Sequence, residues 1–399
     1  MKIAIIIRRL NTFGGAQRQA IELAKTLADF GHIPTLYTFA YDPSKTHIIP
    51  KSVKVTSLSD DGYEKSRFLP YYVRLQLKEW SMAGKLALKI APDTDILNPH
   101  GEAAFKVAAE YKRRVKNIPS VWMLNDMPTK LASFERAQAV DQSLRLGFFK
   151  KFLYGISDWI DLKFFILKQD RIAVLDNRDA LWVKKYFGKD ARIVRSGLHI
   201  SDFEFKKRIE FPREVKILST GIFFAHRRFE DIIRALPILA GFGIKARLNI
   251  VGSVKSDKKY AAKILSLVDQ MSLQSSVSLL GEVGEDRLKA EYKDADVFVF
   301  ASHMQSFGIA VFEALASGLP TVVSETSGAS EILDDEKNAM IVSAKSPEKI
   351  AEAILKMRDN KGLYAELSVK GREFVEDNIS WEKYSNEMLS VFNDAKASY

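Results

Sequence analysis

The chain has 399 residues, no cysteine, six histidines and a formal net charge of +10 at pH 7. This length predicts two domains, and the lack of cysteine excludes a disulfide framework, a thiolate metal site and a thiol nucleophile. Because the histidines are few and no two lie close together, a histidine-based metal site is not expected either.

The N-terminal segment KIAIIIRRL (residues 2–10) is apolar at its start and carries two arginines near its end. It is too short for the apolar region of a signal peptide, and a buried first strand explains it better. No apolar run of about 18 residues, the length needed to span a membrane, occurs in the sequence. The sequence therefore predicts a cytoplasmic protein, and contact with the cytoplasmic face of a membrane stays open.

Positive charge is concentrated in the N-terminal half of the chain. Residues 1–195 hold 33 Lys and Arg against 20 Asp and Glu, whereas residues 196–399 hold 27 against 30. Such an asymmetry favours an anionic partner for the N-terminal half: a membrane surface, a polyanionic acceptor or a nucleic acid. A surface charge that serves only solubility is the alternative.

Strands and helices alternate along the first half of the chain. After the first strand, a glycine turn and an amphipathic helix lead to a second strand, IPTLYTF. This order is a βαβ unit, which implies a parallel sheet with a right-handed crossover. Further strands are predicted at VKVTSL, DILNPH, PSVWML and RIAVLD, so we expect a doubly wound α/β domain.

One segment of the first half, Leu144–Arg171, interleaves aromatic residues with lysines and arginines. This mix is typical of helices that lie at a membrane interface. The alternative is a helix whose aromatic residues pack in the core, which is the commoner use of aromatic residues at helical spacing. Gly155 is expected to break the segment into two shorter helices.

The alternation of strands and helices starts again after ARIVRSGLHISDF (residues 191–203). Strands are predicted at VKILSTGIF, ARLNIVGS, SVSLLGEV and DVFVFAS, with helical segments between them. The second half of the chain is therefore expected to form a second α/β domain.

Ligands of open parallel sheets bind beyond the carboxyl ends of the strands, in loops that lead into helices. Three loops of this kind stand out in the sequence. In the first, Gly14 and Gly15 follow the opening strand and would bring backbone N–H groups close to an anion. An ordinary tight turn explains two glycines equally well.

The second loop holds Arg227 and Arg228 at the start of a helix. Two guanidiniums in this place oppose the helix dipole unless an anion lies between them, which predicts a phosphate clamp. The alternative is local ion pairing with Glu230 and Asp231.

The third loop, QSFG (residues 305–308), precedes a helix that carries Glu313. Its last three residues would present consecutive backbone N–H groups at the start of that helix. Glu313, about two turns further on, would accept hydrogen bonds from a vicinal diol such as a ribose. The alternative is a partly buried glutamate paired with a nearby Arg or Lys.

Together these loops resemble those of glycosyltransferase family 4, the retaining nucleotide-sugar-dependent enzymes of GT-B fold, over nearly the whole chain. The family's Glu-Ser-Phe-Gly…Glu-Ala signature is matched by QSFGIAVFEALASGLPTVV (residues 305–323), and SGASEIL follows where the family has a Gly-Gly/Glu element. The resemblance implies an α/β fold with two Rossmann-like doubly wound domains that face each other across a cleft. Residues 1–195 would bind the acceptor, residues 196–375 the nucleotide sugar, and residues 376–399 would form a helix that crosses back to the first domain.

The resemblance also implies roles for single residues on the donor side. Glu313 matches the glutamate that holds the donor ribose, and Arg227 aligns with the family's clamp lysine. Residues whose backbone would contact the donor, through its sugar, phosphates or base, are Gly14, Gly15, Gly221, Gly252, Val283, Ser306, Phe307 and Gly308.

Two donor-side positions depart from the family pattern. Gln305 replaces the first glutamate of the signature, and Ile222 occupies the usual clamp-arginine position, for which Arg228 would substitute. An amide forfeits a charged hydrogen bond of about 1.5 to 3 kcal/mol, which corresponds to about 10- to 150-fold in rate. Such a loss is tolerable, so Gln305 does not imply an inactive enzyme.

A third departure lies in the N-terminal half, where Asn125 and Asp126 stand in place of the family's common His-Asp pair. His100, in LNPHGEA, is the nearest histidine of that half. The three residues are therefore acceptor-side candidates, although an ordinary loop histidine explains His100 as well.

The implied function is a retaining hexosyltransferase that moves a hexose from a nucleoside-diphosphate sugar to a hydroxyl of a glycan or lipid-linked acceptor, in the synthesis of a cell-surface polysaccharide or glycolipid. The resemblance implies no metal and no cofactor. Its partners would be the nucleotide sugar, the acceptor and an anionic membrane surface at the basic N-terminal domain, but no nucleic acid. Two alternatives stay open: a non-hydrolysing nucleotide-sugar epimerase, and a non-catalytic glycosyltransferase-like partner subunit, which Gln305 and Asn125 suggest.

Overall fold

A computed structural model of the protein describes residues 1–58, 71–127 and 129–399. The chain divides into two compact units, and each has its own parallel sheet. The prediction of two Rossmann-like α/β domains is therefore confirmed. Unit 1 consists of Met1–Gln138, Ser143–Gly197 and Trp381–Tyr399, and unit 2 consists of Ala139–Gln142 and Leu198–Ser380.

The sheet of unit 1 is parallel throughout the described residues. Its strands are β1 (Lys2–Leu10), β2 (Ile33–Tyr41), β3 (Lys54–Ser57), β4 (Ile96–His100), β5 (Val121–Leu124), β6 (Arg171–Val174) and β7 (Ala191–Ile193). They are ordered β3-β2-β1-β4-β5-β6-β7. The inner strand β1 is buried from Ile3 to Ile7, as a strand covered on both faces requires. The strand order reverses between β1 and β4, the place where open α/β sheets bind ligands.

The helices of unit 1 connect these strands, except for the last one, which ends the chain. They are α1 (Gly15–Asp29), α2 (Tyr71–Ala87), α3 (Ala104–Arg114), α4 (Lys130–Val140), α5 (Phe148–Phe164), α6 (Asn177–Phe187) and α13 (Trp381–Lys396). The last of them, α13, lies against α1 and buries one side, with Tyr384, Met388 and Phe392 closed off from solvent. The C-terminal residues of the chain are thus part of unit 1.

The basic aromatic segment differs in two ways from what the sequence predicts. α5 continues without a break through Gly155, so the expected division into two helices is wrong; a single glycine costs a helix only about 1 kcal/mol. Core packing describes Phe165, which is buried just after α5, but not Phe148, Phe149 and Trp159, which are exposed.

Unit 2 has the same architecture with a six-stranded parallel sheet. Its strands are β8 (Glu214–Thr220), β9 (Lys245–Val251), β10 (Val277–Gly281), β11 (Val297–Phe300), β12 (Thr321–Ser324) and β13 (Met340–Val342). The order is β10-β9-β8-β11-β12-β13, so the reversal falls between β8 and β11.

The helices of unit 2 pack on this sheet around a large apolar core. They are α7 (Phe229–Gly241), α8 (Lys258–Gln270), α9 (Glu285–Asp294), α10 (Ile309–Ala316), α11 (Pro347–Asp359) and α12 (Lys361–Asn378). α10 is short and almost entirely buried, because its sequence IAVFEALA is apolar on every side except at Glu313.

Candidate functional site

The candidate site of unit 2 lies at the carboxyl edge of its sheet. β8 ends at Thr220 and β11 at Phe300, and the loops that follow lead to α7 and α10. A backbone hydrogen bond of 2.7 Å from His303 N to His226 O joins the two loops. The Thr326 hydroxyl, just after β12, lies 3.1 Å from His303 Nδ1. Three strand ends thus converge where the strand order reverses.

Glu313 is buried in α10 and held by a tyrosine. Its Oε2 accepts a hydrogen bond of 2.9 Å from the Tyr292 hydroxyl, and the Tyr292 oxygen lies 3.2 Å from the Thr220 hydroxyl. Burial, followed by the charge of Glu313, raises the pKa of Tyr292 well above its ordinary value, so the phenol stays protonated. Because a carboxylate accepts several hydrogen bonds, Tyr292 orients Glu313 and leaves acceptor capacity for a ligand hydroxyl.

Arg227 brings a cation to the same edge of the sheet. It ends a short 3-10 turn between β8 and α7. Its guanidinium lies over the Phe300 ring, 5.7 Å from the ring centre. Its Nε stands 2.8 Å from the position that a Cβ would take on Gly221, so the arginine packs where only a glycine fits.

Arg228 behaves differently from its neighbour. Its guanidinium bonds to Glu230 at 3.2 Å and to Asp231 at 2.7 Å, and both carboxylates are buried. Glu230 also accepts from the Tyr260 hydroxyl and pairs with Lys263 at 3.1 Å. The structure therefore matches the local ion-pair alternative for Arg228, and it does not present this side chain as a second clamp.

The loop before α10 has an unusual backbone. Met304 and Phe307 have φ values of 59° and 47°, which are uncommon for residues other than glycine, and Gly308 has 82°. The Phe307 ring stacks on Phe312 with centroids 4.8 Å apart, and this packing holds the strained turn in place. A Cβ on Gly308 would come within 3.0 Å of the Phe300 ring. This close approach is a steric reason for a glycine at position 308.

The same loop presents backbone donors at the start of α10. No side chain caps this helix, and no hydrogen bond within the described residues uses the amide N–H of Phe307 or Gly308. Ser306, one residue earlier, is buried. The N–H groups stand at the positive end of the helix dipole, an arrangement that favours an anionic ligand group.

Gln305 is half-buried in this loop. Its Nε2 donates a hydrogen bond of 3.1 Å to the carbonyl of Ser306. The backbone carbonyl of Gln305 accepts a bond of 2.8 Å from Gly328, which anchors the loop to the 3-10 turn Gly328–Glu331. The side chain thus folds back on its own loop. It stands where the family has its first glutamate, and it carries no charge.

Two more of the predicted donor-side glycines meet at the strand ends. A Cβ on Gly252 would lie 1.8 Å from the carbonyl oxygen of Gly221, so no other residue fits after β9. Gly252 N donates 2.8 Å to Gly281 O at the end of β10, and Gly221 N donates 2.8 Å to Val251 O. Val283 follows in the loop between β10 and α9. The loops after β8, β9 and β10 are therefore packed side by side.

Gly14 and Gly15 lie in unit 1, at the start of α1. Gly14 is the N-terminal cap residue with an extended backbone (φ −170°), and Gly15 is the first residue of the helix. A Cβ on Gly15 would meet no atom within 4 Å. Space for a ligand thus exists beside Gly15, and the predicted contact with a diphosphate stays a prediction.

His100 is buried at the end of β4 and is not a loop residue. Its Nε2 lies 2.7 Å from Asn98 Oδ1, and Asn98 Nδ2 donates to the carbonyl of Val121, so the histidine carries its proton on Nε2. Burial lowers the pKa of His100 to about 3. The ring is therefore neutral and closed off from solvent, and the structure does not place it where an acceptor would touch it.

The other two predicted acceptor-side residues are bonded within unit 1. Asn125 Nδ2 donates to the Gln19 side chain on α1. Asp126 is exposed, pairs with Arg136 on α4 and accepts a 2.8 Å hydrogen bond from the N–H of Met127. Both residues follow β5 at the carboxyl edge of the sheet, but neither lines the cavity described next.

A cavity of about 400 Å³ lies inside unit 1, next to the carboxyl ends of β1, β4 and β5. Its walls come from five separate segments, so no local sequence pattern indicates it. It is lined by Arg8, Gln76, Glu79, Glu102, Ala103, Phe105, Lys106, Thr129, Lys130, Ser133, Phe134, Tyr154 and Asp161.

Charged groups in this cavity are paired with one another. Lys106 is buried and lies 3.0 Å from Asp161 and 3.4 Å from Glu79. Arg8 bonds to Glu79 at 2.8 Å and to Glu102 at 3.3 Å. The one sequence signal was Lys106 itself, a lysine inside the apolar stretch AAFKVAA. Such a network offers both donors and acceptors to a polyhydroxylated ligand.

Among the described residues, no group of three or more His, Asp or Glu side chains is arranged to hold a metal ion. No described helix is long and apolar enough to cross a membrane.

A known family model and several known proteins are similar to the chain in sequence. Residues 201–374, most of unit 2, match the family model described as "Glycosyl transferases group 1". Mannosylfructose-phosphate synthase of Agrobacterium fabrum is 23% identical, over 95% of this chain and 86% of the relative. An uncharacterized glycosyltransferase of Methanocaldococcus jannaschii is 30% identical over 51% of this chain, and the chain spans only 54% of that relative.

Solved structures share the fold over the whole chain. Sucrose-phosphate synthase from Thermosynechococcus elongatus superposes with a TM-score of 0.76 at 17% identity, covering 100% of both chains. Anabaena HepE in complex with UDP and glucose superposes with a TM-score of 0.73 at 15% identity, covering 99% of this chain and 100% of HepE. The predicted GT-B fold is therefore confirmed.

Proposed function

We propose that the chain is a retaining family 4 hexosyltransferase, because residues 201–374 match the family model of the glycosyl transferases group 1. It transfers a hexose from a nucleoside-diphosphate sugar to a hydroxyl of a glycan or lipid-linked acceptor. The product belongs to a cell-surface polysaccharide or glycolipid, and the enzyme works in the cytoplasm.

The observation that carries this proposal is the meeting of three different chemistries at the carboxyl edge of one sheet. Arg227 supplies a cation, the loop before α10 supplies backbone N–H groups, and Glu313 supplies an oriented carboxylate. Cations and N–H groups suit a diphosphate, whereas a carboxylate repels a diphosphate and suits the hydroxyls of a ribose. A nucleoside diphosphate carries both parts at a fixed separation.

In the proposed reaction, the bond between the anomeric carbon and the phosphate oxygen breaks, and a bond from that carbon to the acceptor oxygen forms. The acceptor proton passes to an oxygen of the leaving phosphate. Arg227 and the N–H groups at α10 stabilise the negative charge that develops on the leaving group. No metal ion or other cofactor is required in this scheme, so we expect transfer to continue in the presence of EDTA.

We assign the acceptor to the cavity of unit 1. Its charged network can bond to the hydroxyls of a sugar, and buried networks of this kind discriminate strongly against ligands that leave a group unpaired. His100, Asn125 and Asp126 would then act on the shape of this region and would not touch the acceptor.

Ligand binding and product formation test the proposal in two steps. A thermal-shift series with UDP, GDP and ADP should show one nucleotide that raises Tm; the UDP in the HepE complex makes UDP the first to try. The matching nucleotide sugars are then incubated with lipid-linked and soluble glycan acceptors. A protein whose Tm responds to no nucleotide contradicts the proposal.

The same assay separates the two alternatives. An epimerase would convert the donor sugar without an acceptor, which analysis of the donor after incubation alone would show. The neutral Gln305 favours a non-catalytic partner subunit: this alternative predicts nucleotide binding but no transfer from any donor, both in the wild type and in Gln305→Glu.

A further inference from the structure

α5 exposes its apolar side and turns its polar side towards the protein, the reverse of an ordinary surface helix. Its outer face, as we call it, consists of Phe148, Phe149, Phe152, Ile156 and Trp159. All five side chains are exposed, and Phe148 and Phe149 reach 88% and 72%. Their spacing of i, i+1, i+4, i+8 and i+11 places them within about 100° of the helix circumference.

The opposite side of α5 is polar and faces the protein. Asp161 is buried against Lys106, and Ser157 bonds to Gln76 and Lys130 at 2.7 Å each. Asp158 accepts two hydrogen bonds of 2.8 Å from the backbone at the start of α4. These bonds fix the rotation of the helix about its axis, so the apolar side cannot turn inward.

An apolar face of this kind requires a partner. Scattered apolar residues are normal on a protein surface, but five large ones on one face of one helix form a contiguous patch of the sort that marks an interaction site. Three of the five are Phe and one is Trp, and large aromatic and apolar side chains are typical of the buried face of interfacial helices.

Charge indicates which partner this is. Exposed basic residues lie at both ends of the outer face: Arg145, Lys150 and Lys151 near its start, and Lys163 and Lys168 near its end. The only acidic residues of α5 are Asp158 and Asp161, and both are engaged on the inward side. An apolar strip with basic side chains at both ends complements apolar chains below anionic headgroups.

We propose that the outer face of α5 inserts into the interface of a membrane that contains anionic lipids. The 17-residue helix would lie in the plane of the membrane, with its aromatic side chains among the acyl chains and its lysines at the headgroups. The inward side of the same helix contributes Tyr154 and Asp161 to the cavity of unit 1. Binding to a lipid surface would thus bring that cavity next to the membrane.

Vesicle flotation of the full chain tests this inference without any substrate. One vesicle population is phosphatidylcholine alone, and in the other, phosphatidylglycerol replaces about a third of it. The wild type should float with the anionic vesicles, and the bound fraction should fall when the salt concentration rises. The triple variant Phe148→Ser, Phe152→Ser, Trp159→Ser should not float with either population.

Two further variants separate the contributions. Replacement of Lys150, Lys151 and Lys163 by Gln should weaken binding to the anionic vesicles by about fivefold for each lysine removed and leave binding to neutral vesicles unchanged. The matched control is Phe242→Ser with Leu265→Ser, which removes exposed apolar side chains from unit 2. It should float like the wild type. Unchanged Tm values in all three variants would show that the fold is intact.

Two outcomes would overturn the inference. In the first, the wild type stays at the bottom of the gradient with both populations, or the aromatic variant floats as the wild type does. In the second, the wild type does not float but forms a dimer in gel filtration that the aromatic variant disrupts, in which case the outer face binds a second copy of the chain.

Discussion

The candidate site of unit 2 and the cavity of unit 1 lie at the carboxyl edges of two similar sheets, yet they are built in different ways. In unit 2, the groups that we assign to the donor lie in loops whose backbone geometry demands particular residues, such as Gly252 and Gly308. In unit 1, the cavity is lined by side chains from separate elements that pair with one another, such as Lys106 and Asp161. Recognition of a common group such as a diphosphate fits the first design, and recognition of a particular acceptor fits the second.

The largest expected effect belongs to Arg227. Its replacement by Met removes the cation that we assign to the leaving diphosphate, and we expect kcat/KM to fall by about 10²- to 10³-fold. The effect should be the same for every acceptor tested, because it belongs to unit 2. Initial rates at several donor and acceptor concentrations check this expectation.

Arg228→Met is the matched control for that variant. It leaves Glu230 and Asp231 buried without their guanidinium partner, which costs about 3 to 5 kcal/mol in buried ion pairs. We therefore expect a lower Tm, with donor KM unchanged in the protein that remains folded. A large loss of donor binding with an unchanged Tm would mean that Arg228 is a clamp residue after all.

The next largest effect is the loss of folding stability at acid pH that we expect from His100. The pKa of His100 is about 3 in the folded protein against 6.5 for an ordinary histidine, so only the unfolded chain binds a proton between these values. The contribution of His100 to stability is complete above pH 6.5 and is lost as the pH falls towards 3.

At pH 4.5 the loss amounts to about 2 to 3 kcal/mol. His100→Gln should remove this part of the pH dependence in urea unfolding measured at pH 7 and pH 4.5. It should also leave the pH profile of kcat unchanged. A shift in that profile would instead place His100 in the reaction.

A smaller effect is expected in the cavity of unit 1. Lys130 lines it, and burial lowers the pKa of this lysine. Lys130→Met should raise the KM of the acceptor about tenfold, as the loss of a charged hydrogen bond would, and leave the affinity for the nucleoside diphosphate unchanged. Lys116→Met, an exposed lysine of the same unit, serves as control. If Lys130→Met weakened the binding of donor and acceptor equally, the assignment of the acceptor to unit 1 and the donor to unit 2 would be contradicted.

The smallest expected effect belongs to Tyr292. Tyr292→Phe deletes only the hydroxyl that orients Glu313, worth about 0.5 to 1.5 kcal/mol. Nucleotide affinity should fall about two- to tenfold, as measured by calorimetry, and kcat should change less. If affinity is unaffected, the bond to Tyr292 plays no part in the orientation of the carboxylate.

The fold and the unit 2 site were predictable because their signals are local. The apolar run of β1, the glycines at the strand ends and the QSFG loop before α10 each occupy a few consecutive residues. Even there, Tyr292 was missed, because nothing in the sequence of α9 shows that its hydroxyl reaches Glu313. The sequence also does not show that Arg228 pairs with Glu230 and Asp231 whereas Arg227 lies over Phe300. This difference depends on the backbone, because Arg228 has a φ of 56°.

The cavity of unit 1 and the orientation of α5 could not be predicted from the sequence, because both depend on contacts between distant residues. A sequence shows that a helix has an apolar side, but not which way that side faces. In α5 the direction is set by partners far along the chain, such as Gln76 and Lys106. The same distance in sequence concealed the cavity, to which only the isolated Lys106 pointed.

The ribose role of Glu313 is tested most directly by the affinity of Glu313→Ala for the nucleoside diphosphate that stabilises the wild type. The matched control is Glu352→Ala, which removes an exposed glutamate on α11. Calorimetric titration should show at least a tenfold loss for the first variant, as for a charged hydrogen bond, and no change for the second. Wild-type affinity in Glu313→Ala would contradict the claim that this carboxylate holds the ribose.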